Sequence, residues 1–143
     1  VHENAGSFDR QGLANVLWAL AKLPRAARGD APLEALQRSA LQCAEDFTSQ
    51  ELANVIWALP QLSARDQKLV QKLALVARHN IDSFTPQGLG MLSLGFSSLG
   101  VYSEPLFSAI SGAAQQRAGE CNVQDAAQML TAFAKFKFQD DTL

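Results

Sequence analysis

The sequence has little of what marks an enzyme. Its two cysteines, Cys43 and Cys121, are too few for a disulfide framework, so a reducing compartment is the default. Neither has the partners of a nucleophile. His2 and His79 stand alone, without Cys or carboxylate partners at metal-ligand spacing. No glycine-rich phosphate loop occurs. Gly88, Gly90 and Gly95 fall inside a helical stretch, where they permit close packing or loosen the helix. Nothing alternates as a strand does. Although 48% of the residues are apolar, no run approaches the roughly 18 that a membrane helix needs. Charge of one sign is also missing: 12 Lys and Arg face 14 Asp and Glu, a net −2, which gives no overall pull toward nucleic acid. These absences leave no candidate for catalysis, a metal, a cofactor or a small-molecule substrate. The chain reads as a non-enzyme.

What is present is repetition. Leu13 to Leu23, LANVLWALAKL, is written again from Leu52 as LANVIWALPQL. Aligned from Phe8 and Phe47, ten of sixteen residues are identical. A third copy starts at Phe84 (FTPQGLGMLSLGFSSL) and a weaker fourth at Cys121 (CNVQDAAQMLTAFAKF), the starts lying 39, 37 and 37 residues apart. A fixed period of this size is the signature of a solenoid or array. The expected fold is all-α: an α-solenoid of about four helix-turn-helix repeats, at 8–46, 47–83, 84–120 and a partial 121–143. Each unit is too small to bury its own apolar faces, so the pairs must stack. VHENAGSF lies over ARHNIDSF (Ala77 to Phe84), so Val1 reads as the tail of an earlier helix. Phe138 to Leu143 reads as the start of a further one.

The punctuation of the copies agrees. Asp9, Thr48, Thr85 and Asn122 stand where a first helix needs an N-cap. Thr48 with Glu51 makes a capping box, and Phe8, Phe47 or Phe84 staples onto Leu13, Leu52 or Leu89. This first helix should run about 14 residues, to Leu23, Leu62, Leu99 and Phe136. Pro60 should shorten or kink the second copy. The second helix of each pair should start at Asp30-Ala-Pro-Leu, Asp66-Gln-Lys-Leu and Ser103-Glu-Pro-Leu. Its buried stripe should hold Leu36, Leu73 and Ile110. Trp18 and Trp57 read as inter-repeat core, with base stacking the lesser option.

The polar positions of the first helices carry the functional reading. Gln11, Asn15 and Lys22 follow an i, i+4, i+11 path and share a face. The same registers hold Gln50, Asn54 and Gln61, then Gln87, Met91 and Ser98, then Gln124, Gln128 and Lys135. The Gln register is filled in all four copies. Such amides fit two roles: bonding a neighbouring helix or loop, or facing a ligand. A repeated amide stripe is how one-base-per-repeat RNA readers present hydrogen bonds. Lys22, Arg25, Arg28, Arg65, Lys135 and Lys137 gather near the C-terminal ends of these helices, and acids near the N-terminal ends. Complementing the helix macrodipole would produce that distribution. So would a basic edge for a phosphate backbone, although the third copy interrupts it with Ser98 and Tyr102.

The FxxQxLANVLWALAKL and FTSQELANVIWALPQL copies resemble the repeats of the octotricopeptide and heptatricopeptide families. They are more distantly similar to the repeats of FAST-kinase-domain mitochondrial proteins. The resemblance implies an organellar RNA-binding protein, in a mitochondrion or alternatively a plastid. Its expected partners are RNA (rRNA or an organellar transcript) and the other proteins of a ribonucleoprotein, with no membrane. A structural rRNA-binding part of a mitochondrial ribosome, or an RNA processing or stability factor, is the specific expectation. The alternative is a protein-interaction scaffold of armadillo or HEAT type without RNA contact.

Overall fold

The structure is a computed structural model that describes residues 9–141, with side chains to residue 137. Among the described residues the protein is all-α, with seven helices and no strand. The helices are α1 (Arg10–Lys22), α2 (Leu33–Gln42), α3 (Ser49–Gln61), α4 (Gln67–His79), α5 (Pro86–Ser98), α6 (Glu104–Gln116) and α7 (Val123–Asp141). Short 3₁₀ turns join several of them.

The helices begin where the caps sit. Asp9 accepts a hydrogen bond from the Gly12 amide at 2.6 Å, and Thr85 from Gly88 at 3.0 Å. Thr48 accepts from the Glu51 amide at 3.1 Å, while Glu51 accepts from the Thr48 amide at 2.9 Å. Asn122 and Asp125 make the same reciprocal pair at 2.7 and 3.3 Å. Caps of this kind contribute about 1 kcal/mol each. Phe47 and Phe84 are buried, as are Leu52 and Leu89, which they should staple. The matching staple at Phe8 lies outside the described residues, as do Val1 and the rest of its overlay.

α2 starts at Leu33, inside the Asp30-Ala-Pro-Leu signal, with Pro32 at the N-cap position and no side-chain cap bond. Two local expectations are not met, each for a physical reason. Pro60 does not shorten α3, which spans 13 residues like α1 and α5. It sits one residue from the end, where losing one donor interrupts little of the ladder. Finally, α7 does not stop at Phe136 for a new helix to start at Phe138, but continues to Asp141. No proline or glycine follows Phe136 to end it, and residues 142 and 143 lie outside the described range.

Packing joins helices of the same rank. α1 packs on α3, α3 on α5 and α5 on α7, while α2 packs on α4 and α4 on α6. One apolar cluster runs from Leu13 to Met129 and includes Leu36, Leu73 and Ile110 from the even-numbered row. Burying each of these side chains is worth roughly 1.5–3 kcal/mol. The odd-numbered row therefore presents a continuous set of helices, and the amide stripe runs along it.

Candidate nucleic-acid interface

Four registers of the odd-numbered helices recur on one face, at i, i+4, i+7 and i+11. In α1 they are Gln11, Asn15, Trp18 and Lys22, and in α3 Gln50, Asn54, Trp57 and Gln61. Gln11, Asn15, Lys22, Gln50, Gln61, Gln87, Ser98, Gln124 and Lys135 are exposed; Asn54 and Gln128 are half-buried. Met91 is buried, so the third copy offers the fewest polar groups here.

Some of these residues come together. The Gln50 amide donates to Asn54 Oδ1 at 3.1 Å along its own helix. Between the first halves of α5 and α7 lies a polar groove lined by Gln87, Met91, Asn122, Gln124, Asp125 and Gln128. Gly90 opens it: a β-carbon there would lie 2.6 Å from Gln128 Oε1. Others stay apart. Gln11 and Lys22 are separated by about 16 Å along the helix, at 1.5 Å per residue.

The basic row divides into two kinds of residue. Arg28 is held by backbone carbonyls, donating to Leu23 O at 3.2 Å, Gln61 O at 3.0 Å and Ala21 O at 3.4 Å. Arg65 repeats the stitch one copy later, donating to Ser98 O at 3.1 Å. Both satisfy carbonyls at the C-terminal end of the next odd-numbered helix, which otherwise lack partners. Tyr102 stands at the equivalent position in the third copy and donates to Ser97 O at 3.3 Å. Among the described residues no such carbonyl bond holds Arg25, Lys135 or Lys137, which are exposed, as Arg65 also is.

Lys22 has a different setting. Its Nζ lies 4.8 Å from the Trp18 ring centre and 5.3 Å from that of Trp57. The two indoles meet at 4.7 Å with their planes at 44°. They do link consecutive copies, as their inter-repeat reading requires. They are also only half-buried and stand in the polar stripe. Spacing alone could have revealed that stripe position, since Trp18 falls between Asn15 and Lys22 on the same path.

Some of the acids are engaged by neighbouring bases. Arg10 reaches both Glu51 oxygens at 3.2 Å. Lys72 donates to Glu45 at 2.5 Å, and that bond with its charge holds the Glu45 carboxyl below its ordinary range. Cys43 moves the other way. Burial, then the nearby Asp46 charge, pushes its thiol above the usual value, so it stays protonated at neutral pH and is a poor nucleophile. Among the described residues no group of three or more His, Cys, Asp or Glu could hold a metal ion. No helix among them is long and apolar enough to cross a membrane.

The profile of the family described as RNA-editing substrate-binding complex 6 protein matches residues 2–143. The chain belongs to that family. The match covers both rows of helices, the amide stripe and the tryptophan pair. No curated protein matches the chain.

Proposed function

We propose that this chain is a non-enzymatic, RNA-binding α-solenoid that holds single-stranded RNA along the stripe of its odd-numbered helices. It works within a ribonucleoprotein that handles RNA-editing substrates. Support for the RNA comes from the family to which the chain belongs, whose name specifies an RNA-editing substrate-binding complex. Support for the surface comes from one observation above the rest: exposed amides recur at one register in four successive odd-numbered helices, at Gln11, Gln50, Gln87 and Gln124. Amides offer both donors and acceptors to the edges of unpaired bases. Support for the four-repeat solenoid comes from the sequence period together with the like-on-like packing of the two rows.

A mitochondrial setting rests on the resemblance to octotricopeptide and heptatricopeptide repeats. The ribosomal version of that resemblance gains nothing from the family match, which favours an editing assembly. The decisive experiment is RNA binding by the purified chain across a salt series. Affinity should fall as salt rises, because neutralised phosphates release counterions. Absence of RNA binding at low salt would defeat the reading. The scaffold alternative draws on Arg28 and Arg65, which serve the fold rather than a free basic edge. Protein partners that persist after nuclease treatment, without RNA affinity, would favour it.

A further inference from the structure

We infer that Trp18, Trp57 and Lys22 form a stacking platform for a nucleobase of single-stranded RNA, with Lys22 turning to the adjoining phosphate. This rests on the RNA-binding reading above and names the place where one base is held. Several observations converge on these three residues. The indoles belong to successive copies, yet meet at 4.7 Å. A ligand on them would therefore span α1 and α3. Their immediate neighbours Leu17 and Ile56 are completely buried, whereas the indoles are not. Packing alone would be served equally by an aliphatic residue, as Leu94 fills the same register of α5.

Lys22 identifies the chemistry. Its ammonium lies over both rings, in the position a ligand cation would take in an aromatic cage. A cationic peptide would meet like charge there. A nucleotide brings the reverse: a flat base for the rings and an anion for the ammonium. A cation–π contact at an exposed site is weak beside base–aromatic stacking. The exchange therefore favours the nucleotide, and Lys22 keeps a partner. Asn15 and Gln61, exposed on the same face, lie beside the rings in the stripe and are placed to meet the base edge.

The chain contains two tryptophans, both in this cluster, and one tyrosine, Tyr102, outside it, so emission excited where tryptophan alone absorbs reports on the platform. The probe is a 12-nucleotide oligouridine, with an RNA duplex of equal length as comparison. Single-stranded RNA should quench the emission, and the duplex should not. Trp57→Leu, which copies Leu94, should weaken oligouridine binding by roughly tenfold, within the range for loss of one stacked base. Trp57→Phe should restore most of that loss, because a flat ring returns; a purely structural tryptophan would not sort the two variants this way. If labelled oligouridine binds while the emission stays unchanged, or both variants bind as tightly as the parent, the platform is wrong and the RNA reading survives. If no RNA binds, both fall.

Discussion

Gly95 of α5 lies against the backbone of Ile56 in α3, so closely that a β-carbon would sit 2.5 Å from Ile56 Cγ2 and 2.7 Å from its carbonyl oxygen. That carbonyl is the one whose helical donor would be residue 60, and residue 60 is proline, which has no N–H. The helix breaker in one copy and the glycine in the next thus belong to one contact. Close approach here sets the spacing of α3 and α5.

The other copies carry alanine at this register, at Ala19, Ala58 and Ala132. Comparison of repeats would therefore favour Gly95→Ala, as would helix propensity, by about 1 kcal/mol. The geometry predicts the opposite. A carbon forced against backbone and a short branched side chain should cost roughly 1–3 kcal/mol. Gly112, within α6, is the control: a β-carbon there meets nothing within 4 Å. Gly112→Ala should stabilise by about 0.5–1 kcal/mol. Thermal melts of the two variants should shift in opposite directions; a rise for both would refute the close contact.

Ser63 invites the reverse exchange. It follows α3 with φ +56°, and Gly100 holds the equivalent place after α5 with φ +79°. A left-handed backbone costs a non-glycine residue roughly 1–2 kcal/mol, and glycine is the usual residue just beyond a helix end. Ser63→Gly should raise the melting temperature by a few degrees. An unchanged or lower value would mean that the serine side chain contributes more than its backbone costs.

The two-helix pattern was legible because it is written repeatedly. Caps at Asp9, Thr48, Thr85 and Asn122 each place an oxygen where an amide needs one, so punctuation alone located the odd-numbered helices. Asp30-Ala-Pro-Leu marked the start of α2 but not its cap, which falls on Pro32, because a cap depends on backbone geometry that residue type does not specify. The length of α7 was hidden for a related reason: no proline or glycine follows Phe136, and repeat symmetry supplied an end there that the described residues do not show. At the candidate interface, periodicity gathered the amides onto one face. It could not divide the bases, since Arg28 and Lys135 look alike until the carbonyls around Arg28 are in place. Nor could it show that Trp18 and Trp57 stay half-exposed, because exposure depends on how closely α1 approaches α3.

Arg28 should prove a structural residue. Its guanidinium ties the end of α1 to the Gln61 carbonyl of α3, and the fork of donors that makes this possible is absent from lysine. Arg28→Ala should cost about 1–2 kcal/mol, in the lower range for charge-assisted hydrogen bonds because the site is partly exposed. Arg28→Lys should recover less than half of the loss. Chemical denaturation measures both, and equal stability of all three proteins would show that the stitch is idle.

The same division of the basic row makes a prediction about RNA that composition alone could not. Each phosphate of single-stranded RNA that the protein no longer neutralises lowers the steepness of the slope of log affinity against log salt by about 0.7. Lys135 is exposed in α7 and one turn beyond Thr131 on the stripe, so Lys135→Gln should lower the slope by about that amount. Arg28 is turned toward carbonyls and should leave the slope unchanged in Arg28→Ala, provided binding is measured where that variant remains folded. The comparison separates a basic edge that meets phosphate from one that caps helices. If Arg28→Ala lowers the slope and Lys135→Gln does not, the RNA path lies elsewhere, because the carbonyl-bound arginine would then be the one that exchanges its partners for phosphate.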